Sequence, residues 1–263
     1  MKVLNYGSLN VDYVYSVDHI IVGGETQHSS KLEVFSGGKG LNQSIALAKA
    51  GVPVYHAGIV GTDGDILLEA CKEAGVNTKY IRRLPVKGGH TMIQVDKNAQ
   101  NCIILYGGTN QMQTKEFVDE VLADFGEGDY LILQNEINML DYIIDQAYEK
   151  KMKIVMNPSP FDDKLSTCDL SKVYLFLVNE IEGEQITGCK DKDQILDAMA
   201  AKFPNARFVL TLGSDGAVYY DGKEKVFQDI FKVKAVDTTA AGVIHLQDIS
   251  LLQLSRADPS RRR

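Results

Sequence analysis

The chain is poor in cysteine and in long hydrophobic runs, and both absences limit what the protein can be. Its 263 residues include 4 cysteines, and none of them forms a CxxC pair. Their wide spacing excludes the usual zinc and thioredoxin-type motifs and predicts reduced thiols in a cytoplasmic protein. Polar residues interrupt every apolar run before it reaches membrane-spanning length, and the start MKVLNYGSLNVDYVY has no signal-peptide core. We therefore expect no membrane partner.

Positive charge is also scarce. The formal net charge is −7 and the sequence pI is near 5.3. A nucleic-acid binder usually carries a basic patch, so we expect no nucleic-acid partner, and the basic end SRADPSRRR is best interpreted as a solvated tail. The 5 histidines form no HExxH pattern, and no Gly-x-Ser-x-Gly elbow is present. A zinc protease and a serine hydrolase are therefore not expected.

What the chain does have is a regular alternation of strand and helix patterns from about residue 112 onward. Such alternation predicts βαβ units, and hence an α/β fold with a doubly wound, mostly parallel sheet flanked by helices. Before residue 110, short runs with β-rich alternation predict half-exposed antiparallel strands in a small side sheet. The predicted strands are 2–7, 31–35, 90–95, 101–106, 129–134, 153–157, 174–178 and 207–212, and the predicted helices are 40–51, 114–125, 139–150, 180–187 and 192–203.

Polar residues and glycines cluster where these strands end. Open α/β sheets bind ligands outside the carboxyl ends of their strands. The sequence therefore predicts a site at that edge, formed by Asn10, Asp12, Glu136, Asn157, Asn179, Glu182, Gly213 and the loop DTTAAG.

Four motifs at this edge each have a structural and a functional interpretation. SGGKGLNQS (36–44) is either an ordinary turn or a loop whose N–H groups face an anion or a hydroxyl-rich ligand. NEIE (179–182) is either a capping box or a holder of hydrated Mg²⁺ and phosphates. TLGSDGAVYY (211–220) is a hairpin turn or a nucleotide loop. DTTAAG (237–242) is a common loop or an anion hole.

Taken together and in this order, these motifs resemble the ribokinase-like (PfkB) family of carbohydrate kinases, and its ribokinase branch most. GGKGLNQSIALAKAG resembles the first family signature, VNEIE the N-x-x-E motif, and VDTTAAG the front half of the second signature. GSLNVDYV, GTDG, NPSP and TLGSDG fall where the family has similar segments. The resemblance covers residues 2–242. It implies a ribokinase-like α/β domain over 1–242 with lid strands at about 13–35 and 90–106, followed by an aberrant tail over 243–263.

The resemblance also implies a function and a set of roles. The protein would be an ATP-dependent kinase that phosphorylates a hydroxyl of ribose or a similar small sugar, with Mg²⁺ and a monovalent cation such as K⁺ as cofactors. The lid would also pair two subunits into a homodimer. Sugar hydroxyls would contact Asn10, Asp12, Gly38, Lys39, Asn42 and Glu136; Asn179 and Glu182 would serve Mg²⁺ and the ATP phosphates; Thr211, Gly213 and Gly216 would border the nucleotide; Ala240, Ala241 and Gly242 would form the anion hole; Asp237 and Thr239 would hold the monovalent cation.

The chain departs from the family directly after Gly242. There the family has the Asp that accepts the sugar proton, followed by Thr or Ser and Phe, whereas this chain has Val243 and then IHLQDIS. If VIHLQDIS is encoded GTG ATA CAT TTA CAG GAT ATT TCA, removing the first two bases gives D-T-F-T-G-Y-F. This fit supports a reading frame that shifted at codon 243. Asp248 lies too far along to replace the missing base. We expect little or no kinase activity from this chain.

Two alternatives stay open. A natural departure would leave a sugar-binding pseudokinase or regulator without turnover. A nicotinamide-dependent oxidoreductase on a Rossmann sheet is the other alternative, although the chain has no GxGxxG after its first strand.

Overall fold

A nine-stranded sheet runs through the protein, and the computed structural model describes residues 1–230 around it and beside it. The strands in chain order are β1 (Val3–Tyr6), β2 (Asn10–Ser16), β3 (Lys31–Gly37), β4 (Val54–Val60), β5 (Asn77–Arg83), β6 (Gly89–Val95), β7 (Asn101–Tyr106), β8 (Tyr130–Gln134), β9 (Lys153–Asn157), β10 (Leu175–Asn179), β11 (Arg207–Thr211), β12 (Ala217–Tyr220) and β13 (Lys225–Gln228). The helices are α1 (Lys39–Lys49), α2 (Asp65–Ala74), α3 (Lys115–Leu122), α4 (Leu140–Glu149), α5 (Glu180–Thr187) and α6 (Lys192–Lys202).

The large sheet has the strand order β13-β12-β11-β10-β9-β8-β1-β4-β5. Its pairs are parallel from β5 to β11, and the pairs β11–β12 and β12–β13 are antiparallel. Successive side chains of a strand point to opposite faces, so a sheet covered on both faces needs apolar residues at every position. Strand β8 shows this pattern, because all of its residues are buried. The predicted α/β fold with a doubly wound, mostly parallel sheet is confirmed.

Two hydrophobic clusters cover the two faces of this sheet. One contains Leu4 of β1 with Phe117 of α3 and Ile143 of α4. The other contains Val3 of β1 with Leu47 of α1 and Leu67 of α2. Adjacent residues of one strand therefore belong to different clusters, as the pleat requires. None of the helices within residues 1–230 is long and apolar enough to cross a membrane.

A separate four-stranded sheet, which we call the small sheet, has the order β3-β2-β6-β7. The side sheet expected from the sequence is present. Its strands were expected to be antiparallel, and this is wrong for one pair, because β2 runs parallel to β6. The outer pairs β2–β3 and β6–β7 are antiparallel. Strand β7 was expected to be half-exposed, yet every one of its residues is exposed.

The sequence patterns missed the unit β4–α2–β5, which extends the large sheet beyond β1. Helix α2 begins after Gly64 and has no side chain that caps its first turn. Strand β5 is an edge strand that carries Lys79, Arg82 and Arg83. Charged residues are common on edge strands because they oppose unwanted pairing, and they also weaken the strand pattern.

Candidate functional site

Glu136 occupies the centre of a polar group at the carboxyl end of β1 and β8. The Nζ of Lys39 donates to Glu136 Oε1 at 2.9 Å, and the backbone N–H of Lys39 donates to Oε2 at 3.0 Å. The hydroxyl of Ser8 also donates to Oε2. These residues meet because β8 pairs with β1, so that Glu136 just after β8 faces Ser8 just after β1. The structure thus brings together Lys39 and Glu136, which the sequence analysis expected to contact the same sugar.

The loop before α1 lies directly on the backbone after β1. Gly38 has φ +95°, and a Cβ at Gly40 would stand 2.4 Å from the backbone N of Ser8. Only glycine allows both the left-handed conformation and this close approach. The N–H of Gly40 donates to Ser8 Oγ at 3.2 Å, and that of Leu41 donates to Ser8 O at 3.0 Å.

The expectation that these N–H groups face a ligand is therefore wrong. The first three N–H groups of α1 are already bonded to Ser8 and Glu136. The glycines instead bring the side chain of Lys39 to the site. Asn42 lies in the first turn of α1, where its N–H donates to Gly38 O at 3.0 Å. Its side chain makes no hydrogen bond with any residue in 1–230.

Asn10 and Asp12 extend the group from the first residues of β2. The hydroxyl of Thr91, on the parallel strand β6, donates to Asp12 Oδ1 at 2.6 Å. Burial raises the pKa of Asp12, the Thr91 hydrogen bond opposes that rise, and the nearby charges of Glu136 and Lys39 act in opposite directions. Asp12, Glu136 and Lys39 therefore influence one another electrostatically.

Asn110 is a residue that the sequence analysis missed. Its Nδ2 donates to Asn10 Oδ1 at 2.7 Å from a short 3₁₀ turn at Gly108–Gln111. The side chain of Gln111, from the same turn, donates to the carbonyl of Glu136 at 2.9 Å. The only sequence signal is a run of small and polar residues, GGTNQ, directly after β7. That run is also typical of an ordinary turn.

A buried polar network lies next to this group and contacts α1 at Gly40. Asn5 Nδ2 donates to Gly40 O at 2.7 Å and to Ser44 Oγ at 2.9 Å. Ser44 Oγ lies 2.7 Å from His56 Nδ1, and Gln134 Nε2 donates to Asn5 Oδ1 at 2.9 Å. Ser44 thus links the side chain of Asn5 to the ring of His56. Burial lowers the pKa of His56 to about 4, so this ring is neutral near pH 7.

A second group of predicted residues lies further along the same edge. Asn179 ends β10 and pairs with Thr211 at the end of β11. Strand β10 is two places from β8 and three from β1 in the sheet, which separates the two groups by about 10–14 Å. The sheet therefore holds both groups on one edge without direct contact.

Asn179 and Glu182 form a complete capping box at the start of α5. Glu182 N donates to Asn179 Oδ1 at 2.8 Å, and Asn179 N donates to Glu182 Oε2 at 3.1 Å. The capping box, which was the structural interpretation of NEIE, is thus present. The cap uses one oxygen of each side chain, so Glu182 Oε1 and Asn179 Nδ2 are left without a hydrogen bond to residues 1–230. These two atoms fit the water shell of a hydrated Mg²⁺ ion or a phosphate oxygen.

Thr211, Gly213 and Gly216 form the turn between β11 and β12. These strands pair antiparallel, so the hairpin expected for TLGSDGAVYY is present. Gly213 has φ +54°, and a Cβ at Gly216, which has φ +93°, would stand 2.2 Å from Gln228 O. Both glycines are required by the turn itself. A nucleotide role for them is compatible with this geometry and is not required by it.

Residues 1–230 contain no group of three or more His, Cys, Asp or Glu side chains that could hold a metal ion. The first turn of α5 carries the carboxylates of Glu180 and Glu182, and of these two only Glu182 is buried. This donor set fits an ion that keeps most of its waters and is held largely by phosphates, as Mg²⁺ commonly is. Several predicted residues lie outside the described residues: Asp237, Thr239, Ala240, Ala241, Gly242 and Val243.

The first group can recognise a small molecule that is rich in hydroxyl groups. Its carboxylates Asp12 and Glu136 accept hydrogen bonds, and Lys39 and Asn42 donate them. Hydrogen bonds to ionised groups are stronger than neutral ones. A set of neighbouring acceptors and donors suits a polyol better than it suits an apolar ligand.

Comparison with known proteins finds a sequence family and several relatives that are similar to this chain. The sequence model described as pfkB family carbohydrate kinase matches residues 1–242. A ribokinase of Staphylococcus aureus is 33% identical over 251 residues, which cover 92% of this chain and 82% of that protein. A deoxyribokinase of Salmonella typhi is 28% identical over 251 residues, with the same two coverages. The crystal structure of a ribokinase from Cryptococcus neoformans in complex with ADP has a TM-score of 0.80 and 28% identity, and covers 98% of this chain and 88% of that one.

Proposed function

The chain belongs to the pfkB family of carbohydrate kinases, and from this premise we propose that it binds ribose or a similar small sugar together with Mg²⁺-ATP. The observation that carries the proposal is the meeting of Asn10, Asp12, Lys39 and Glu136 at the end of β1. Relatives named ribokinase and deoxyribokinase support a pentose as the sugar. The ADP bound by a structural relative supports an adenine nucleotide.

Each residue of the first group would have a defined part in sugar binding. Asp12 and Glu136 would accept hydrogen bonds from sugar hydroxyls, while Lys39, Asn42 and the amide of Asn10 would donate them. The Lys39 ammonium also holds the Glu136 side chain in place. Gly38 has no side chain to fill the space between Lys39 and Asn10.

The second group would serve the nucleotide. Glu182 Oε1 and Asn179 Nδ2 would contact the waters of Mg²⁺ and the phosphates, and Thr211, Gly213 and Gly216 would border the nucleoside. When bound, Mg²⁺-ATP supplies the phosphoryl group and part of the charge neutralisation. Ala240, Ala241 and Gly242 as an anion hole, and Asp237 and Thr239 as a K⁺ site, remain the sequence-based part of this proposal.

Val243 is the residue from which we expect a low rate of phosphoryl transfer. Phosphoryl transfer to a hydroxyl needs a group that accepts the hydroxyl proton, and a valine side chain cannot do this. The chain as written should turn over at least about a hundred-fold more slowly than an ordinary kinase working at roughly 10 s⁻¹. Sequencing the coding DNA across codons 240–263 tests the origin of Val243. A two-base difference that restores D-T-F supports a shifted frame, and an unchanged frame contradicts it.

A second candidate function is favoured by the same residue. A protein that keeps Asn10, Asp12, Lys39 and Glu136 but has Val243 could bind sugar as a regulator without turning it over. Both candidates require sugar binding and differ in the fate of ATP. We expect either protein to act in the cytoplasm, where ATP is available and the four free thiols stay reduced.

The small sheet is proposed as the lid over the sugar and as the surface for a second copy of the chain. Its strand β7 exposes Ile103, Ile104 and Leu105, and β3 exposes Leu32 and Val34. Neighbouring residues of a strand point to opposite faces, so apolar side chains are exposed on both faces of this sheet. One face adjoins Asp12 and would cover the sugar; the other is free for the partner copy.

Calorimetric titration of the whole chain with ribose and with Mg²⁺-ATP tests the proposal. We expect ribose to bind in the micromolar to millimolar range usual for enzyme substrates. Glu136→Gln should weaken that binding at least about ten-fold, because the ammonium–carboxylate pair with Lys39 is lost. The matched control Glu149→Gln, at the exposed end of α4, should leave it unchanged. Absence of binding to ribose, 2-deoxyribose and fructose would contradict the proposal, and binding of NAD in place of ATP would favour an oxidoreductase.

A further inference from the structure

Asn110 holds the start of β2 with all of its side-chain atoms that can form hydrogen bonds. Its Oδ1 accepts from the N–H of Leu9 at 3.0 Å. Its Nδ2 donates to Asn10 Oδ1 at 2.7 Å and lies 3.4 Å from the carbonyl O of Leu9. The side chain is only 1% exposed, so it contacts no solvent and serves only these neighbours.

These contacts fix which way the amide of Asn10 points. A backbone N–H can only donate, so the atom of Asn110 that faces Leu9 N must be the oxygen. The other atom of Asn110 is then the NH₂ group, which can only donate, so Asn10 turns its oxygen toward Asn110. The NH₂ group of Asn10 must therefore point away from Asn110.

We propose that Asn110 is a positioning residue that directs the NH₂ group of Asn10 toward a hydroxyl of the sugar. The inference rests on the proposed function, because it takes the group around Asn10 and Glu136 to be the sugar site. Asn110 itself would not touch the sugar. It converts an amide that could present either an oxygen or an NH₂ group into a donor of fixed direction.

The surroundings of Asn110 leave this arrangement little freedom. A Cβ at Gly89, the first residue of β6, would stand 2.2 Å from Asn110 Nδ2 and 2.5 Å from Asn10 Oδ1. The hydrogen bond therefore exists only because residue 89 is glycine. The turn is held on both sides, since Thr109 Oγ1 donates to Ile59 O at 2.7 Å and Asn138 N donates to Asn110 O at 3.3 Å.

A fixed donor also affects which sugars the site accepts. A site built to hydrogen-bond a hydroxyl discriminates strongly against an analogue that lacks it, because the buried donor is then left unpaired. An amide that is free to flip could offer either its oxygen or its NH₂ group, and it would discriminate less between sugars. Asn110 therefore contributes to selectivity between sugars as well as to affinity.

A double-mutant cycle measured by calorimetry at pH 8 tests the inference. Asn110→Asp keeps the size of the side chain and an acceptor for Leu9 N. It presents a second oxygen to Asn10, so the Asn10 amide should flip and point its NH₂ group toward residue 110. We expect it to weaken ribose binding roughly ten-fold, about the effect of one hydrogen bond. In an Asn10→Ala background the same change should alter ribose binding less than about two-fold, because there is no amide left to orient. Asn110→Ala replaces Asn110→Asp in the cycle if the latter does not fold.

Equal losses in the two backgrounds would overturn the inference, since a merely structural role of Asn110 would weaken binding whether or not Asn10 is present. If the unmodified chain binds no sugar at all, the proposed function fails separately. The inference is then decided by urea unfolding of Asn110→Ala, Asn10→Ala and the double variant. Non-additive changes in unfolding free energy would support the link between the two side chains, and strictly additive changes would overturn it.

Discussion

At the scale of single residues, Asp12, which we propose as a sugar ligand, is a carboxyl group whose ionised form the fold disfavours. Burial raises its pKa, so the ionised form that would accept sugar hydroxyls is disfavoured by the folded protein. Thr91 offsets part of this effect with its hydrogen bond to Oδ1. The carboxylate that we propose for sugar recognition is thus unfavourable for folding.

Asp12→Asn should stabilise the protein at neutral pH and remove sugar binding. A carboxyl whose pKa is raised by folding contributes its full stability only below the ordinary pKa near 3.8, and loses it as pH rises through the folded value. The gain from asparagine should therefore be larger at pH 8 than at pH 4.5, on the order of 1 kcal/mol at pH 8. Urea unfolding at both values measures it. The exposed control Asp18→Asn should show no such difference, and an equal gain for Asp12→Asn at both pH values would contradict the argument.

At the scale of elements, the start of helix α5 is where we propose that two side chains serve both the fold and a nucleotide. Asn179 and Glu182 complete the capping box, and each keeps one polar atom that the cap does not use. A purely structural cap and a nucleotide role are therefore compatible at this position. Two substitutions separate the two roles.

Asn179→Ala should lower the unfolding free energy by about 1 kcal/mol, because it removes the side chain that accepts from Glu182 N. Glu182→Gln keeps an oxygen for the backbone N–H of Asn179 and should leave stability nearly unchanged. If Glu182 also serves Mg²⁺, this second variant should bind ATP more weakly in the presence of Mg²⁺ and unchanged in EDTA. Calorimetry and urea unfolding measure the two effects. Unchanged ATP binding in the presence of Mg²⁺ would show that Glu182 acts only in the capping box.

Local signals explain which elements the sequence could predict. Strand β9 and helix α5 have the same bounds as predicted, because a buried apolar run and a capping box are both complete within a few residues. The unit β4–α2–β5 lacked such signals: α2 has no capping side chain, and β5 is a charged edge strand. The parallel pairing of β2 with β6 depends on chain topology, which side-chain alternation does not encode.

The candidate site was predictable to the extent that its residues follow strand ends or family motifs. The contact between Lys39 and Glu136 joins residues 97 positions apart, and only the sheet order brings them together. The N–H groups of α1 were expected to face a ligand, yet Ser8 and Glu136 accept from them. Asn110 was missed because its role consists of contacts with Leu9 and Asn10, about 100 residues earlier.

At the scale of the whole molecule, the neutral ring of His56 links stability to pH. This ring is fully buried beneath the loop before α1 and is bonded to Ser44. Its pKa is lowered to about 4 by burial, so the folded protein disfavours the charged form. A group of this kind contributes stability above its ordinary pKa of about 6.5, and that stability is lost as pH falls toward 4.

The unfolding free energy should therefore fall by up to about 3 kcal/mol between pH 6.5 and 4 because of His56 alone. His56→Gln keeps a polar side chain and removes the titration, so its stability should decline less over this interval. The difference between the two proteins in the slope of unfolding free energy against pH separates the effect of His56 from that of carboxylates that titrate in the same pH range. Parallel slopes in urea unfolding from pH 8 to pH 4 would show that His56 is protonated at little cost.

The small sheet predicts how two copies of the chain would associate. Ile104 lies on β7 with 62% of its surface exposed, on the face opposite Asp12. Ile104→Lys should shift the protein from dimer to monomer in sedimentation velocity, because a buried lysine without a partner opposes association. Ile181→Lys is the matched control, since Ile181 is 69% exposed on α5 and lies outside the small sheet. A monomeric unmodified chain, or equal behaviour of both variants, would contradict pairing through this surface.

The place of β1 in the large sheet has a consequence for synthesis of the chain on the ribosome. The first strand made is held between β4 and β8, so its second neighbour is not complete until residue 134. At a translation rate of roughly 5–20 residues per second, its apolar residues wait several seconds for that neighbour. From β8 to β13, by contrast, each new strand joins the edge left by the one before it. The nascent chain is thus most in need of protection by chaperones early, and it can fold in step with translation afterwards.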